Sequence, residues 1–533
     1  MNLDDRGRLS VFQWRWARYA PHVVVFFASA FIMVLELVAG RLVARHLGNS
    51  LYTWTSVIGV ILAGISIGNY LGGRLADRWQ PERILGLLFL VASALSVSAL
   101  PMNRLFAEFT PLEGFFWPSR TFLTVLGIFA LPAVALGAIS PAAAKMAVDR
   151  GEAVGRTIGS VYAWGAIGSI LGTFVAGFWL IATLGAKEVV LSVALCLAIM
   201  AALVGPGRWM AMVWAAALGT LLFISQIPAN PDSRTEAVKG LLGLGEAGES
   251  LFVADSNYQY ICVTEVQSER DSSRVIRKLQ LDYLIHGYVD PDDPEFLEYA
   301  YERIYRDVAK RYLRDKTQIS AFFIGGGSYT FPRWVLSQWP GSAVDVAEID
   351  PLVAEANYKA LGLPTNTSIR TVCADARIAV EGLSPNTRYD LVIGDAFNDL
   401  SVPYHLTTLE FNEKVAGHLT PGGAYLLNII DDWAVGRLLG AVVATLKKTF
   451  TDVQVFCTDE TGVKAGRQTF VLAASMAQVD FSDWRANHSA GFEGSVLSEQ
   501  DLDALEVKSK GLILTDDFAP VENLLEPVVR KRD

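Results

Sequence analysis

The chain has 533 residues, 52% of them hydrophobic and only 19% charged, and carries a net charge of −10. So little charge excludes an ordinary soluble protein along the whole length, and the acidic balance excludes a general nucleic-acid binder. Four cysteines without CxxC spacing read as free thiols in a reducing compartment, and six scattered histidines with no His-x-x-x-His pair argue against a metal centre.

Apolar runs dominate up to about Ile227, and ordinary charge density returns beyond Pro228. Crossing a bilayer takes roughly 20 apolar residues as helix. Seven stretches qualify, at about 22–44, 52–73, 84–101, 121–140, 157–182, 188–205 and 208–227. The first is not read as a cleaved signal, because no small-residue cleavage site is evident and further spans follow. Gly64, Gly68 and Gly72 recur at four-residue spacing, as do Gly168 and Gly172. Such spacing lets helices in lipid approach closely; a substrate path is the functional alternative. Glu36 lies inside the first span, where a carboxylate is costly. It is expected either to pair with Arg41 or Arg45 or to act in transport or binding. "GGRLADR" (Gly72–Arg78) is a short basic turn similar to the cytoplasmic loop of facilitator-type transporters.

The second half begins with β structure, "SLFVADSNYQYICVTEVQ" and "RVIRKLQLDYLI", followed by a tyrosine-rich helix, "PEFLEYAYERIYRDVAKRYL". Strands then alternate with helices: "ISAFFIG", "AVDVAEI", "IRTVCA", "YDLVIGDA", "GAYLLNII", "DVQVFC" and "TFVLAAS". Near-continuous apolar strands in this pattern predict a parallel, doubly wound α/β sheet covered on both faces. The expected organisation is a membrane domain over 1–230, a β region with the tyrosine-rich helix over 245–315, and a Rossmann-like domain over 316–533.

Ligands of such sheets bind beyond the carboxyl ends of the strands. Gly325, Gly326 and Gly327 end the first strand, where glycine permits positive φ and close approach to a ligand. Glu348 ends the second strand, Asp375 the third and Asp395 the fourth. Each acid alone could cap a helix, but four strand ends in order point to a nucleoside pocket, with Glu348 placed to accept from both ribose hydroxyls.

The ordered set resembles the spermidine synthase (polyamine aminopropyltransferase) family, within the S-adenosylmethionine-dependent methyltransferase fold, over roughly residues 250–475. The apolar half resembles the multi-span portion fused to such domains in bacterial proteins. "SNYQYICV" (Ser256–Val263) is similar to the family's S-x-Y-Q-x-I-x-V strand, which implies that Gln259 touches the nucleoside. "LDYLIH" stands where the family has L-D-G-x-x-Q, placing His286 at the glutamine and at the substrate. "IGGGSYT" and "AEIDP" match the glycine turn and the ribose-binding acid. "ADA" implies that Asp375 meets the adenine amino group, and "GDAFND" implies that Asp395 is the catalytic base. Tyr299 and Tyr301 are implied walls of the amine site, and Asn398 with Asp399 stand near the family's second catalytic-loop aspartate. The family's aspartate after the three glycines is here Ser328, so charge discrimination against the carboxylate of an intact donor is missing at that point.

The resemblance implies transfer of an aminopropyl group from decarboxylated S-adenosylmethionine to a cationic amine such as putrescine, releasing methylthioadenosine. An S-adenosylmethionine-dependent methyltransferase is the enzymatic alternative, and a polyamine transporter or sensor the non-catalytic one. His405 is expected to line the acceptor site or to be satisfied by backbone. Asp516, Asp517 and Glu522 are expected to add negative potential near a polyamine or to cap a final helix. A homo-oligomer fits soluble relatives. Lysine and arginine bias places the N-terminus inside, and seven crossings would then leave the nucleoside domain outside. The expectation adopted is a multi-pass protein of a bacterial inner membrane with its soluble domain in the cytoplasm.

Overall fold

The computed structural model describes residues 11–112, 115–149, 153–205, 207–227, 239–245, 250–396, 402–458, 466–482, 484 and 494–530. The described chain divides into two units, Met1–Glu249 with Asp255–Tyr260, and Ser250–Ala254 with Ile261–Asp533.

Among the described residues of the first unit, seven helices are long and apolar enough to cross a membrane: Tyr19–Leu47, Leu51–Arg78, Pro81–Ala107, Trp117–Asp149, Val154–Leu184, Ala186–Val204 and Arg208–Ser225. Each matches a stretch read from hydropathy. The glycine series are packing surfaces. A Cβ on Gly68 would lie 2.3 Å from the Val134 carbonyl, and one on Gly168 would lie 2.2 Å from that of Phe26. No side chain larger than hydrogen fits at either crossing.

The expected Glu36 pairing is not found. Arg45 instead bonds the Asp255 carboxylate at 2.8 Å, and Arg41 donates to the Asn257 carbonyl. Among the described residues, Glu36 Oε2 is buried without a hydrogen-bond partner. Asp255 also accepts from the Ala186 N–H at 2.8 Å, so one carboxylate takes both the nearby charge and a helix-end amide.

In the second unit, β1 (Ser250–Asp255), β2 (Tyr260–Gln267), β3 (Val275–Leu281) and β4 (Leu284–Val289) form a four-stranded sheet in that order. The stretch read as one strand through "LDYLI" is two, because Asp282 adopts φ 49 and the chain reverses in a two-residue hairpin with Leu281 opposite Leu284. The tyrosine-rich helix is also shorter than expected. It runs Ala300–Tyr312, with Tyr299 as its N-cap.

The larger sheet contains β5 (Ser320–Ile324), β6 (Ala343–Ala347), β7 (Ile369–Val372), β8 (Tyr389–Gly394), β9 (Leu419–Asp432), β10 (Asp452–Cys457), β11 (Arg467–Ser475) and β12 (Ser495–Val496). Their order is β12-β10-β11-β9-β8-β5-β6-β7. The first five, β5 to β9, run parallel, whereas β11 pairs antiparallel with β9 and β10. The wholly parallel expectation therefore fails at the last strands. Parallel return needs a crossover, and β11 follows β10 with no intervening described helix.

Alternation along the strands builds two cores. Phe322, Ile324, Val392, Tyr425 and Leu427 pack on one face, and Ala321, Phe323, Leu391, Ile393 and Leu426 on the other. Helices cover both faces, so the strands read as unbroken apolar runs.

Candidate active site

β5 pairs with β6 on one side and β8 on the other, so strand order reverses beside β5. Connections leave in opposite directions there and open a crevice at the strand ends. The glycine turn follows β5, with Gly325 at φ 94 and Gly327 at φ 50. A Cβ on Gly325 would lie 2.4 Å from the Asp395 carbonyl oxygen, so the ends of β5 and β8 touch only because residue 325 is glycine.

Glu348, one residue past β6, is buried at 7% exposure. Its Oε2 accepts from the Gly326 N–H and its Oε1 from the Asp350 N–H, both at 2.9 Å. Burial pushes its carboxyl up, and these amides oppose the rise. The Gly327 amide also bonds this carboxylate, and a carboxylate offers about four acceptor positions, so capacity remains for a ribose hydroxyl. Asp375 caps the helix Ala376–Glu381 through Arg377 N–H at 2.9 Å, and its second oxygen bonds the His405 ring at 2.8 Å. His405 is thus held by a carboxylate rather than by backbone. Asp516 forms a two-point ion pair with Arg377, and its carboxyl is lowered to about 2 chiefly by that guanidinium. Glu522 lies in the first turn of the helix Val521–Arg530.

Ser328 is buried, and its Oγ bonds Thr330 Oγ1 at 2.7 Å. Thr330 spends its one proton on the Tyr288 carbonyl, also at 2.7 Å. Ser328 must therefore donate to Thr330, leaving lone pairs and no proton for any other group that reaches it. His286, on β4, is half-buried, with Nδ1 3.1 Å from the Leu284 carbonyl. Gln259 belongs to the first unit, buried in a turn where its N–H donates to Ser256 Oγ at 2.9 Å. Asn398 and Asp399 lie outside the described residues.

Asp395, immediately after β8, is the centre of a second group. Asn428 Nδ2 on β9 donates to it at 3.1 Å, and the Tyr301 hydroxyl also bonds it. Burial pushes the Asp395 carboxyl up against both bonds. Aromatic rings from one helix and β4 line up beside it. Centroids of Tyr288 and Tyr299 are 5.1 Å apart, Tyr299 and Tyr301 5.3 Å, and Tyr301 and Tyr305 5.6 Å. The Tyr299 hydroxyl donates to the Ile285 carbonyl at 3.2 Å.

Sequence reasoning missed Glu302, Tyr305 and Asn428. Glu302 is 4% exposed, and its carboxyl is pushed up to about 8, first by burial and then by the charge of Asp395. Glu302 Oε2, Tyr305 Oη and Asn428 Oδ1 are each buried without a hydrogen-bond partner among the described residues. One such orphan costs about 1–3 kcal/mol. The signal was present in the sequence. Glu302 shares one helix face with Tyr305 and Ala309, an acid at the head of an otherwise buried stripe.

No family model matches the chain. Over 222 residues it is 24% identical to a protein named probable polyamine aminopropyl transferase from Bifidobacterium longum (strain NCC 2705), covering 38% of this chain and 48% of that one. Over 221 residues it is 28% identical to a polyamine aminopropyltransferase of Vibrio vulnificus (strain CMCP6), covering 40% of this chain and 71% of the relative. The chain is polyamine aminopropyltransferase-like. It spans about half the length, 48%, of the first of these relatives. A probable spermidine synthase from Corynebacterium glutamicum ATCC 13032 superposes with a TM-score of 0.44 at 20% identity, over 52% of this chain and 98% of that structure.

Proposed function

We propose that the second unit transfers an aminopropyl group from decarboxylated S-adenosylmethionine to a small cationic amine. The observation that carries this reading is a buried carboxylate, Asp395, held by Asn428 and Tyr301 at the switch point of the sheet, beside the glycine turn and Glu348. Glu348 would accept from a ribose hydroxyl, and Asp375 would lie toward the adenine. Asp395 takes a proton from the amine. The freed lone pair forms a bond to the methylene next to sulfur, and the carbon–sulfur electrons return to sulfur, giving methylthioadenosine. The product nitrogen keeps its remaining protons as a secondary ammonium, and one proton leaves Asp395 for solvent. A base of raised pKa suits this step, because a carboxylate at its ordinary value is a weak acceptor for an ammonium proton.

A second reading, methyl transfer from intact S-adenosylmethionine, is motivated by the absence of an acid at Ser328. The hydroxyl chain from Ser328 through Thr330 supports the first reading, since lone pairs alone favour an ammonium arm and give a carboxylate no hydrogen. The same reading assigns the second unit to the cytoplasm, the side on which an adenosyl sulfonium donor is available. Purified protein given decarboxylated donor and 1,4-diaminobutane should release methylthioadenosine, identified by mass spectrometry. S-adenosylhomocysteine from intact donor would instead establish methyl transfer, and neither product across a series of amines would refute both.

A further inference from the structure

Resting on that reading, we propose that Glu302, Tyr305 and Asn428 complete with Asp395 a four-group cradle for the reacting ammonium, in which Glu302 is the second carboxyl. The reason is a mismatch of donors and acceptors. Once Glu302 is ionised, its Oε2 and Asn428 Oδ1 accept only, Tyr305 Oη can accept, and all three are buried and unmatched among the described residues. The residues are 4%, 7% and 1% exposed, so solvent does not satisfy them in bulk. They come from different elements, the helix Ala300–Tyr312 and β9, yet gather around one carboxylate. A ligand that cures three orphaned acceptors beside a carboxylate must be rich in N–H and positively charged. An ammonium has three such hydrogens and no acceptor.

Glu302 is not released for this purpose by its place in the helix. Its other oxygen accepts the Tyr299 backbone N–H at the helix start, a capping contact that fixes the side chain while leaving Oε2 unmatched. The charged groups around it are Asp395 across the site, and Glu298 and Arg303 near its own helix start. Glu298 is occupied by Ser268 Oγ at 2.7 Å and Glu269 N–H at 2.9 Å, and Arg303 donates to the Glu298 carbonyl at 2.5 Å. β9 adds Asn428 and Tyr425, and the described face of β11 adds apolar residues such as Val471 and Ala473. Ionised, Glu302 faces the like charge of Asp395 across the site and that of Glu298 near its own helix start, opposed by Arg303. A docking ammonium turns that repulsion into attraction toward both carboxyls. Glu302 then gives its proton to solvent as the cation arrives, and Asp395 remains the acceptor for the proton lost during transfer. Amine uptake is in this way linked to proton release, and Glu302 decides for cations over neutral amines of the same length.

The test uses the full chain in detergent with methylthioadenosine bound, titrated with 1,4-diaminobutane near pH 7 in two buffers of different ionisation enthalpy. Wild type should release a proton on binding the amine. Glu302→Gln keeps the capping acceptor but cannot ionise. It should lose the proton release and raise the amine KM by about tenfold or more, equivalent to the loss of one charge contact, with a smaller change in kcat. Glu302→Asp should restore part of the linkage, and methylthioadenosine affinity should be unchanged in both variants. A Glu302→Gln protein with wild-type KM and wild-type proton release overturns the cradle while leaving aminopropyl transfer intact. Loss of methylthioadenosine affinity in that variant assigns Glu302 a structural role and also overturns it. Wild-type protein that neither binds methylthioadenosine nor turns over donor removes the underlying reading itself.

Discussion

Asparagine in place of Asp395 preserves the shape of the side chain and a polar contact for Asn428, and removes only the proton acceptor. Asp395→Asn should lower kcat by about 10²–10⁴, the usual contribution of a positioned base, while methylthioadenosine still binds. A variant turning over at the wild-type rate would take Asp395 out of the chemistry. Glu302 adds a pH signature of a different kind. The unfolded chain ionises it near its ordinary value, whereas in the fold it titrates at about 8. Its neutral form therefore favours folding fully at low pH, and that contribution disappears as pH rises through about 8. Thermal unfolding in detergent should show wild type losing stability relative to Glu302→Gln between about pH 5 and about pH 9. Parallel curves would mean that Glu302 is not buried in this way. The acids at strand ends were legible because their place in the α/β pattern is fixed by apolar strands on either side. Glu302 showed only as an acid at the head of a buried helix stripe, and Tyr305 and Asn428 not at all, because the significance of all three lies in what they fail to bond, and a sequence lists groups without their partners.

At the scale of elements, glycine spacing carried more information than charge. The four-residue series in the spans announced close helix approach, and both crossings are built that way. Replacing Gly168 by leucine drives a side chain into the Phe26 carbonyl, so the first and fifth spans must separate. Overpacking of this kind costs about 1–3 kcal/mol. The detergent unfolding temperature should fall accordingly, and an unchanged value would contradict the packing. Arg41 and Arg45 show the converse. Their nearness to Glu36 in sequence suggested a pair, but each guanidinium goes to an acceptor that the fold brings close, here Asp255 and the Asn257 carbonyl. The β3–β4 reversal was also hidden. Its turn is Asp-Tyr, which lacks the glycine that usually announces a two-residue hairpin, and Asp282 itself takes the positive φ. Likewise β11 reads like any buried strand, and only its pairing with β9 shows that it runs the other way.

For the whole molecule, the sequence separated an apolar half from an α/β half, and among the described residues seven apolar helices precede the mixed sheet. The proposed orientation rests on the proposed chemistry rather than on helix number, since a domain that consumes an adenosyl sulfonium needs access to that compound. A green fluorescent protein fused after residue 533 should fluoresce and an alkaline phosphatase fusion there should be silent; the reverse pattern would place the second unit outside and contradict a cytoplasmic enzyme. The most direct measurement is calorimetric titration of the full chain with methylthioadenosine, comparing wild type with Glu348→Ala. Saturable binding that weakens by at least about tenfold in the variant is the expected result. No heat with wild type, or equal affinity in both proteins, would contradict an adenosine held at the β5–β8 switch point.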